Sequence, residues 1–299
     1  MIKNSESRNS PQPLDLETIA SIAVDHAYVQ QKAALYRGNP RMSKEQKAER
    51  LELALQCMDL TTLSGADTIH KVQQLCAAAQ QPLVDAPNMQ VAAVCIYPAF
   101  VLVAQQALKG SGIPVASVAA GFPTGLLPLS WRLAEIRGVV EAGAQEVDIV
   151  APRYYSLAQD WAGLYQELVQ MREACGEARL KVILETGHLP DLNTVARASR
   201  VALLAGADFI KTSTGKEAVG ATLEAGIVMA QQIVAHQAAT GLYAGLKAAG
   251  GIRRAQHAWQ WLMLVEKELG PTWEHPHYFR IGASSLLATI QTQLQLLRS

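Results

Sequence analysis

The chain has 299 residues, 49% of them hydrophobic and 17% charged, so it can bury a large core. One α/β barrel of about 250 residues plus an extension fits that length, as two smaller domains would. Its 26 basic residues balance 26 acidic ones, which leaves no overall field to draw it to nucleic acid or an anionic membrane, so a small, locally recognised ligand is expected.

The four cysteines, Cys57, Cys76, Cys95 and Cys175, lie far apart and form no CxxC pair. That spacing argues against a zinc site or a thioredoxin-type motif and for a reducing compartment. Met1 to Pro13 lacks the apolar core of a signal peptide, and no later run reaches about 18 apolar residues. A soluble, cytoplasmic protein without a membrane partner is expected.

In chain order, the polar, proline-containing first 13 residues read as disordered. Leu14 to Tyr36 carries Leu16, Ile19, Ile22, Ala23 and His26 at helical spacing, which predicts one amphipathic helix ended by Arg37-Gly-Asn-Pro40. Ser43 with Gln46 three residues on resembles a capping box and predicts a second helix through Glu49 to Leu55. Residues 1–50 are therefore read as an N-terminal extension and 51–299 as the main body.

From there a short apolar strand, a loop of small or polar residues and a helical segment recur. Strands are expected at 57–61, 91–97, 115–120, 146–151, 180–186, 209–213, 245–249 and 279–283, with helices such as Leu129 to Ala142 and Trp161 to Cys175 between them. Eight such units predict a parallel (β/α)8 TIM barrel with a helical extension. Functional residues should then gather at the C-terminal ends of the strands, with phosphate near the last two loops.

The charged residues noted in or at the ends of these strands are Asp59, Asp148, Lys211 and Lys247. In Phe209-Ile-Lys211-Thr-Ser-Thr-Gly-Lys216, alternation puts Phe209, Lys211 and Ser213 on one face. If both faces are covered, Lys211 is a buried amine. Such an amine either pairs with a carboxylate or loses its proton and becomes a nucleophile able to form a Schiff base.

Lys247 shares a strand face with Gly245 and Ala249, which leave room for it. An ammonium ~4–5 Å from Lys211 would oppose its protonation by roughly 3–4 kcal/mol at an effective dielectric of about 20. The alternative for Lys247 is a salt bridge to a barrel carboxylate. Asp148 is either that partner or a proton carrier, and Asp59 either caps its following loop or touches substrate.

Gly215, Gly250, Gly251, Ser284 and Ser285 belong to small-residue strand ends whose N–H groups suit a phosphate. Gly215-Lys216-Glu217 is not a Walker loop, and no GxGxxG is present. Cys95 reads first as an apolar filler and second as a residue lining the cavity from strand two. His275-Pro-His277 reads as a loop rather than a metal site, and Glu185 is left unassigned.

Met58-Asp-Leu-Thr-Thr-Leu63, Ala92-Ala-Val-Cys-Ile-Tyr-Pro98, Glu146-Val-Asp148, Phe209 to Lys216 and Phe279-Arg-Ile-Gly-Ala-Ser-Ser-Leu286 together resemble deoxyribose-phosphate aldolase, over about Leu55 to Leu287. Phe122-Pro123 and Trp131 to Ile136 are similar to its longer members, which carry an N-terminal extension. The resemblance implies a class I aldolase that cleaves 2-deoxy-D-ribose 5-phosphate without metal or cofactor. Lys211 would be the Schiff-base lysine, Lys247 its pKa-lowering neighbour and Asp148 part of a proton relay. Gly215, Gly250, Gly251, Ser284 and Ser285 would hold the phosphate.

Two departures stand out: Ala248 replaces the usual proline after the second lysine, and the chain ends Leu296-Leu-Arg-Ser299 where many members carry a terminal tyrosine. A looser Lys247 and slower turnover, or water in place of the tyrosine, are expected. The competing readings are another phosphosugar isomerase or lyase, and a non-catalytic phosphosugar-binding protein. The extension either shields a barrel face or makes an interface, as in a homodimer.

Overall fold

The structure, a computed structural model, describes residues 8–38 and 42–298. The extension forms α1 (Leu16–Ser21), α2 (His26–Arg37) and α3 (Lys44–Gln56). Then follow β1 (Met58–Thr61), α4 (Ile69–Gln80), β2 (Ala93–Ile96), α5 (Val101–Ala107), β3 (Val115–Ala119), α6 (Leu129–Glu141) and β4 (Glu146–Val150). After β4 come α7 (Arg153–Ala158), α8 (Trp161–Cys175), β5 (Arg179–Ile183), α9 (Leu192–Leu204), β6 (Phe209–Lys211) and α10 (Leu223–Thr240). The chain closes with β7 (Gly245–Ala249), α11 (Ala255–Glu268), β8 (Phe279–Ala283) and α12 (Leu286–Arg298). Each strand pairs in parallel with the next and β8 pairs with β1, giving a closed barrel inside a ring of helices.

The strand edges explain how the barrel is filled. Residues such as Leu60, Val94, Val147, Ile149, Val182, Ile210, Leu246 and Ile281 face the helices and are buried in the main apolar core. The alternate positions face inward, and there the usual layers of branched residues give way to charge. Register sets Asp148 opposite Lys181, Lys211 opposite Lys247, and Lys247 opposite Arg280. Small residues make room for these long side chains. A Cβ on Gly245 would stand 2.2 Å from the Phe209 ring, and one on Gly282 would stand 3.1 Å from Cε of Lys247.

The extension departs from expectation in three ways. The single helix expected over 14–36 is broken at 22–25, because the Asp25 side chain accepts from Tyr28 N–H to start α2 and Asn193 Oδ1 accepts from Val24 N–H at 2.8 Å. Residues 8–13, expected as disordered, instead lie against the barrel. Buried Asn9 donates to the Ala207 and Tyr243 carbonyls at 3.0 and 2.9 Å, and its own N–H reaches Asp208 at 2.9 Å. Finally α3, started by the Ser43–Gln46 capping box, runs across the boundary drawn at residue 50. The rest of the expected disorder, at residues 1–7, lies outside the described residues, as do Asn39 and Pro40 of the expected helix stop.

Candidate active site

Seven charged side chains meet inside the barrel: Asp59 from β1, Glu146 and Asp148 from β4, Lys181 from β5, Lys211 from β6, Lys247 from β7 and Arg280 from β8. Toward the N-terminal mouth, Arg280 binds Glu146 with two nitrogens at 2.8 and 3.1 Å and Asp59 at 2.5 Å. Lys181 joins Glu146 at 2.6 Å, Asp148 at 2.8 Å and Asp59 at 3.3 Å. Lys247 bonds to Asp59 and, at 2.7 Å, to Oδ2 of Asp148. The same Oδ2 receives Lys211 Nζ at 2.7 Å.

Charge fixes the protonation pattern. Burial opposes ionisation of every member, since a lone buried charge is costly. For Asp148 that penalty is outweighed by Lys181, Lys211 and Lys247, so its carboxyl lies well below the usual range. Arg280, Lys181 and Lys247 likewise hold Asp59 low. Lys247 is raised, because Asp148 and Asp59 outweigh its burial. Lys211 goes the other way: burial first, then Lys247, outweigh the pull of Asp148 and lower it. Leaving Lys211 aside, the cations Lys181, Lys247 and Arg280 match Asp59, Glu146 and Asp148 in number within the barrel, while Arg179 stands at its mouth, 3.5 Å from Glu146.

Above this layer, at the C-terminal ends of the strands, opens a cleft of about 390 Å³. Lys211 lines it, only 2% exposed, together with Gly215, Gly250, Gly251, Ser284 and Ser285. Lys71, Lys216 and Arg253 add positive charge to the wall. The backbones of Gly250 and Gly251 have φ of 86° and 79°, and a Cβ on Gly220 would fall 2.4 Å from the Gly250 carbonyl oxygen, so the loops after β6 and β7 touch backbone to backbone. Ser284 and Ser285 lead into α12, whose first N–H groups have no intrahelical partner. The Thr212 hydroxyl lies 3.0 Å from both the N–H and the carbonyl of Ala249 and ties the ends of β6 and β7.

The cleft thus gathers six of the ten expected residues, and Lys247 and Asp148 lie directly beneath it. Two expectations are corrected. Asp59 is fully buried off the cleft wall, its oxygens taken by Arg280, Lys247 and Lys181. The loop capping is done by Asp67, which accepts from Thr62 Oγ1 at 2.8 Å and Ser64 N–H at 2.9 Å. Cys95 is also off the cleft wall, packed with Leu63, Ala116 and Val118, its Sγ 4.0 Å from Asp148 Oδ2. Burial pushes its thiol up, so it stays a thiol rather than a nucleophile.

Lys247 is ion-paired with Asp59 and Asp148, and it shares the Asp148 oxygen with Lys211. The sequence reading missed Glu146, Lys181 and Arg280. The signal was there, because the alternation that turns Lys211 inward applies equally to Lys181 and Arg280 in their strands. Among the described residues no three or more His, Cys, Asp or Glu side chains are grouped to hold a metal ion.

The profile of the DeoC/LacD family aldolases matches residues 53–292. Deoxyribose-phosphate aldolase of Mus musculus is 49% identical over 94% of this chain and 92% of its own. That of Homo sapiens is 48% identical over 96% and 94%. In structure, the tetrameric deoxyribose phosphate aldolase of Aeropyrum pernix superposes with a TM-score of 0.62 at 26% identity, covering 87% of this chain and 100% of that one.

Proposed function

The chain belongs to the DeoC/LacD family of aldolases, and on that premise we propose that it reversibly cleaves 2-deoxy-D-ribose 5-phosphate to D-glyceraldehyde 3-phosphate and acetaldehyde through a Schiff base on Lys211. The observation that carries the residue assignment is that, of the three lysines inside the barrel, Lys211 alone lines the cleft and is held below its ordinary pKa.

Unprotonated Lys211 Nζ adds to the C1 aldehyde, and loss of water gives an iminium. Removal of the C3 hydroxyl proton sends the C2–C3 bonding electrons into the iminium, releasing glyceraldehyde 3-phosphate and leaving an enamine. Protonation at C2 and return of water release acetaldehyde and free the lysine. Asp148, bonded to both lysines, carries protons for these steps. Lys247 stays charged, keeps Lys211 neutral and restrains Asp148. The N–H groups of Gly215, Gly250, Gly251 and of the Ser284–Ser285 helix start bind the 5-phosphate beside Lys216 and Arg253.

This proposal keeps 51–299 as the catalytic unit and gives 1–50 a bracing role, since the first cleft-lining residue is Thr61. It includes a cytoplasmic location and no nucleic-acid or membrane partner. In support, the cysteines are unpaired and, among the described residues, no helix is long and apolar enough to cross a membrane. It also includes a homodimer, to be checked by light scattering.

Incubation with acetaldehyde or deoxyribose 5-phosphate followed by borohydride should leave a reduced adduct, mapped to Lys211 and lost in Lys211→Leu. A folded protein that gives no adduct, or an adduct on another lysine, overturns the assignment.

A further inference from the structure

The turn after β5 contains a residue that none of these steps uses. Glu185 has φ 54° and ψ 58°, a left-handed conformation uncommon for a residue other than glycine, and such outliers concentrate at functional sites. The conformation comes with complete burial: the carboxylate is 0% exposed. Oε2 accepts the Thr214 N–H at 3.1 Å, while Oε1 is buried without a hydrogen-bond partner. A carboxylate so placed is costly, and apolar filling of the space would be cheaper if packing were all it served.

What Glu185 holds is the segment that runs from Lys211 into the cleft. The same turn donates Leu184 N–H to the Lys211 carbonyl and Thr186 N–H to the Thr212 carbonyl, both at 2.9 Å. Thr214 is buried, and its hydroxyl accepts Lys216 N–H at 3.1 Å. Between them lies Gly215, with φ 77°. Glu185 is therefore the side-chain anchor of a short bridge, Glu185 to Thr214 to Lys216, that fixes how the Gly215 and Lys216 peptides face the cleft. It lies apart from the ion network: neither Lys211 nor Asp148 bonds to it.

We propose that Glu185 is a positioning residue for phosphate recognition, setting the Thr214–Lys216 backbone against the 5-phosphate without taking part in imine chemistry. This rests on the phosphosugar reading above. It separates two duties at the end of β6: the ion network governs the reactivity of Lys211, and Glu185 governs the grip on the far end of the substrate.

The test compares wild type with Glu185→Met, which fills the space without an acceptor, and Glu185→Gln, which keeps one oxygen for Thr214. Each is assayed with 2-deoxyribose 5-phosphate, with unphosphorylated 2-deoxyribose, and by borohydride trapping of acetaldehyde. Glu185→Met should raise KM for the phosphorylated substrate by about tenfold or more, the loss expected for one hydrogen bond to a buried group. Its kcat/KM for deoxyribose and its acetaldehyde adduct should stay within about twofold of wild type. Glu185→Gln should recover most of the KM. KM does not depend on the folded fraction, and kcat/KM and adduct yield are taken per folded enzyme, with the folded fraction read from circular dichroism, so partial misfolding does not mask the result.

Equal losses on both substrates and on the adduct mean a merely structural role and overturn the proposal. So does an unchanged KM, or a Gln variant that behaves like Met. Should Glu185→Met give no folded protein, Thr214→Val, which removes the next link of the bridge to Lys216, takes its place: a KM raised for the phosphorylated substrate alone supports the proposal and an unchanged KM overturns it. Wild type that traps acetaldehyde but does not cleave deoxyribose 5-phosphate would instead locate the failure in the phosphosugar reading.

Discussion

Lys247→Met keeps most of the length of the side chain and deletes a charge that opposes protonation of Lys211. Both amines stand 2.7 Å from the same Asp148 oxygen, so their nitrogens are no more than about 5.4 Å apart. At an effective dielectric of about 20, that separation gives a repulsion of at least ~3 kcal/mol, or about 2 pKa units. Losing Lys247 also leaves Asp148 more fully to Lys211, which works in the same direction. The pH at which Lys211 becomes reactive should therefore rise by about 2 units or more, and adduct formation near neutrality should slow roughly 100-fold. The assay is the time course of borohydride-trapped acetaldehyde adduct from pH 6 to 10, by intact mass, on protein whose circular dichroism matches wild type. The contest is real, because burial also lowers Lys211. An adduct-formation profile that keeps its midpoint in Lys247→Met would falsify the charge argument and leave burial as the sole cause.

Two further outcomes concern stability. Arg280→Met leaves Asp59 and Glu146 short of a cation inside the barrel, and should cost about 3–5 kcal/mol in urea unfolding; a loss below about 1 kcal/mol would mean that Lys181 and Arg179 compensate. His236 on α10 is fully buried with neither ring nitrogen partnered, and burial, helped by Arg200, lowers its pKa to about 4. The unfolded chain then binds a proton below pH ~6.5 that the folded one refuses, so stability falls as pH drops from about 6.5 to about 4, by about 2 kcal/mol at pH 5. Urea curves at pH 7 and 5 should show this in wild type and a smaller loss in His236→Leu.

The barrel was legible because its strands are short apolar runs with small residues at their ends, and because charge inside such a run is hard to explain otherwise. Lys211 and Lys247 stood out for that reason, each flanked by small or apolar neighbours. Lys181 did not, since in Arg179-Leu-Lys-Val it looks like a solvated strand start, although alternation turns it to the inner face and the register sets it opposite Asp148. Arg280 was hidden in the same way beside His275 and His277. The break between α1 and α2 depends on Asn193, distant in sequence, binding Val24, and no local pattern carries that. Asp59 was misjudged because aspartate near a strand end usually caps a loop, and here Asp67 does so.

The two ends of this chain need each other, which bears on when the fold can form during synthesis. Asn9 is satisfied by Ala207, Asp208 and Tyr243, and β1 closes on β8. At about 5–20 residues per second, Asn9 leaves the ribosome roughly 12–47 s before Tyr243. Until β8 also emerges, the open edge of β1 has only β2 to pair with, and pairings over such separations form slowly. Lys247 and Arg280 follow Tyr243 in the chain, so the charge balance inside the barrel is complete only once β7 and β8 have been made.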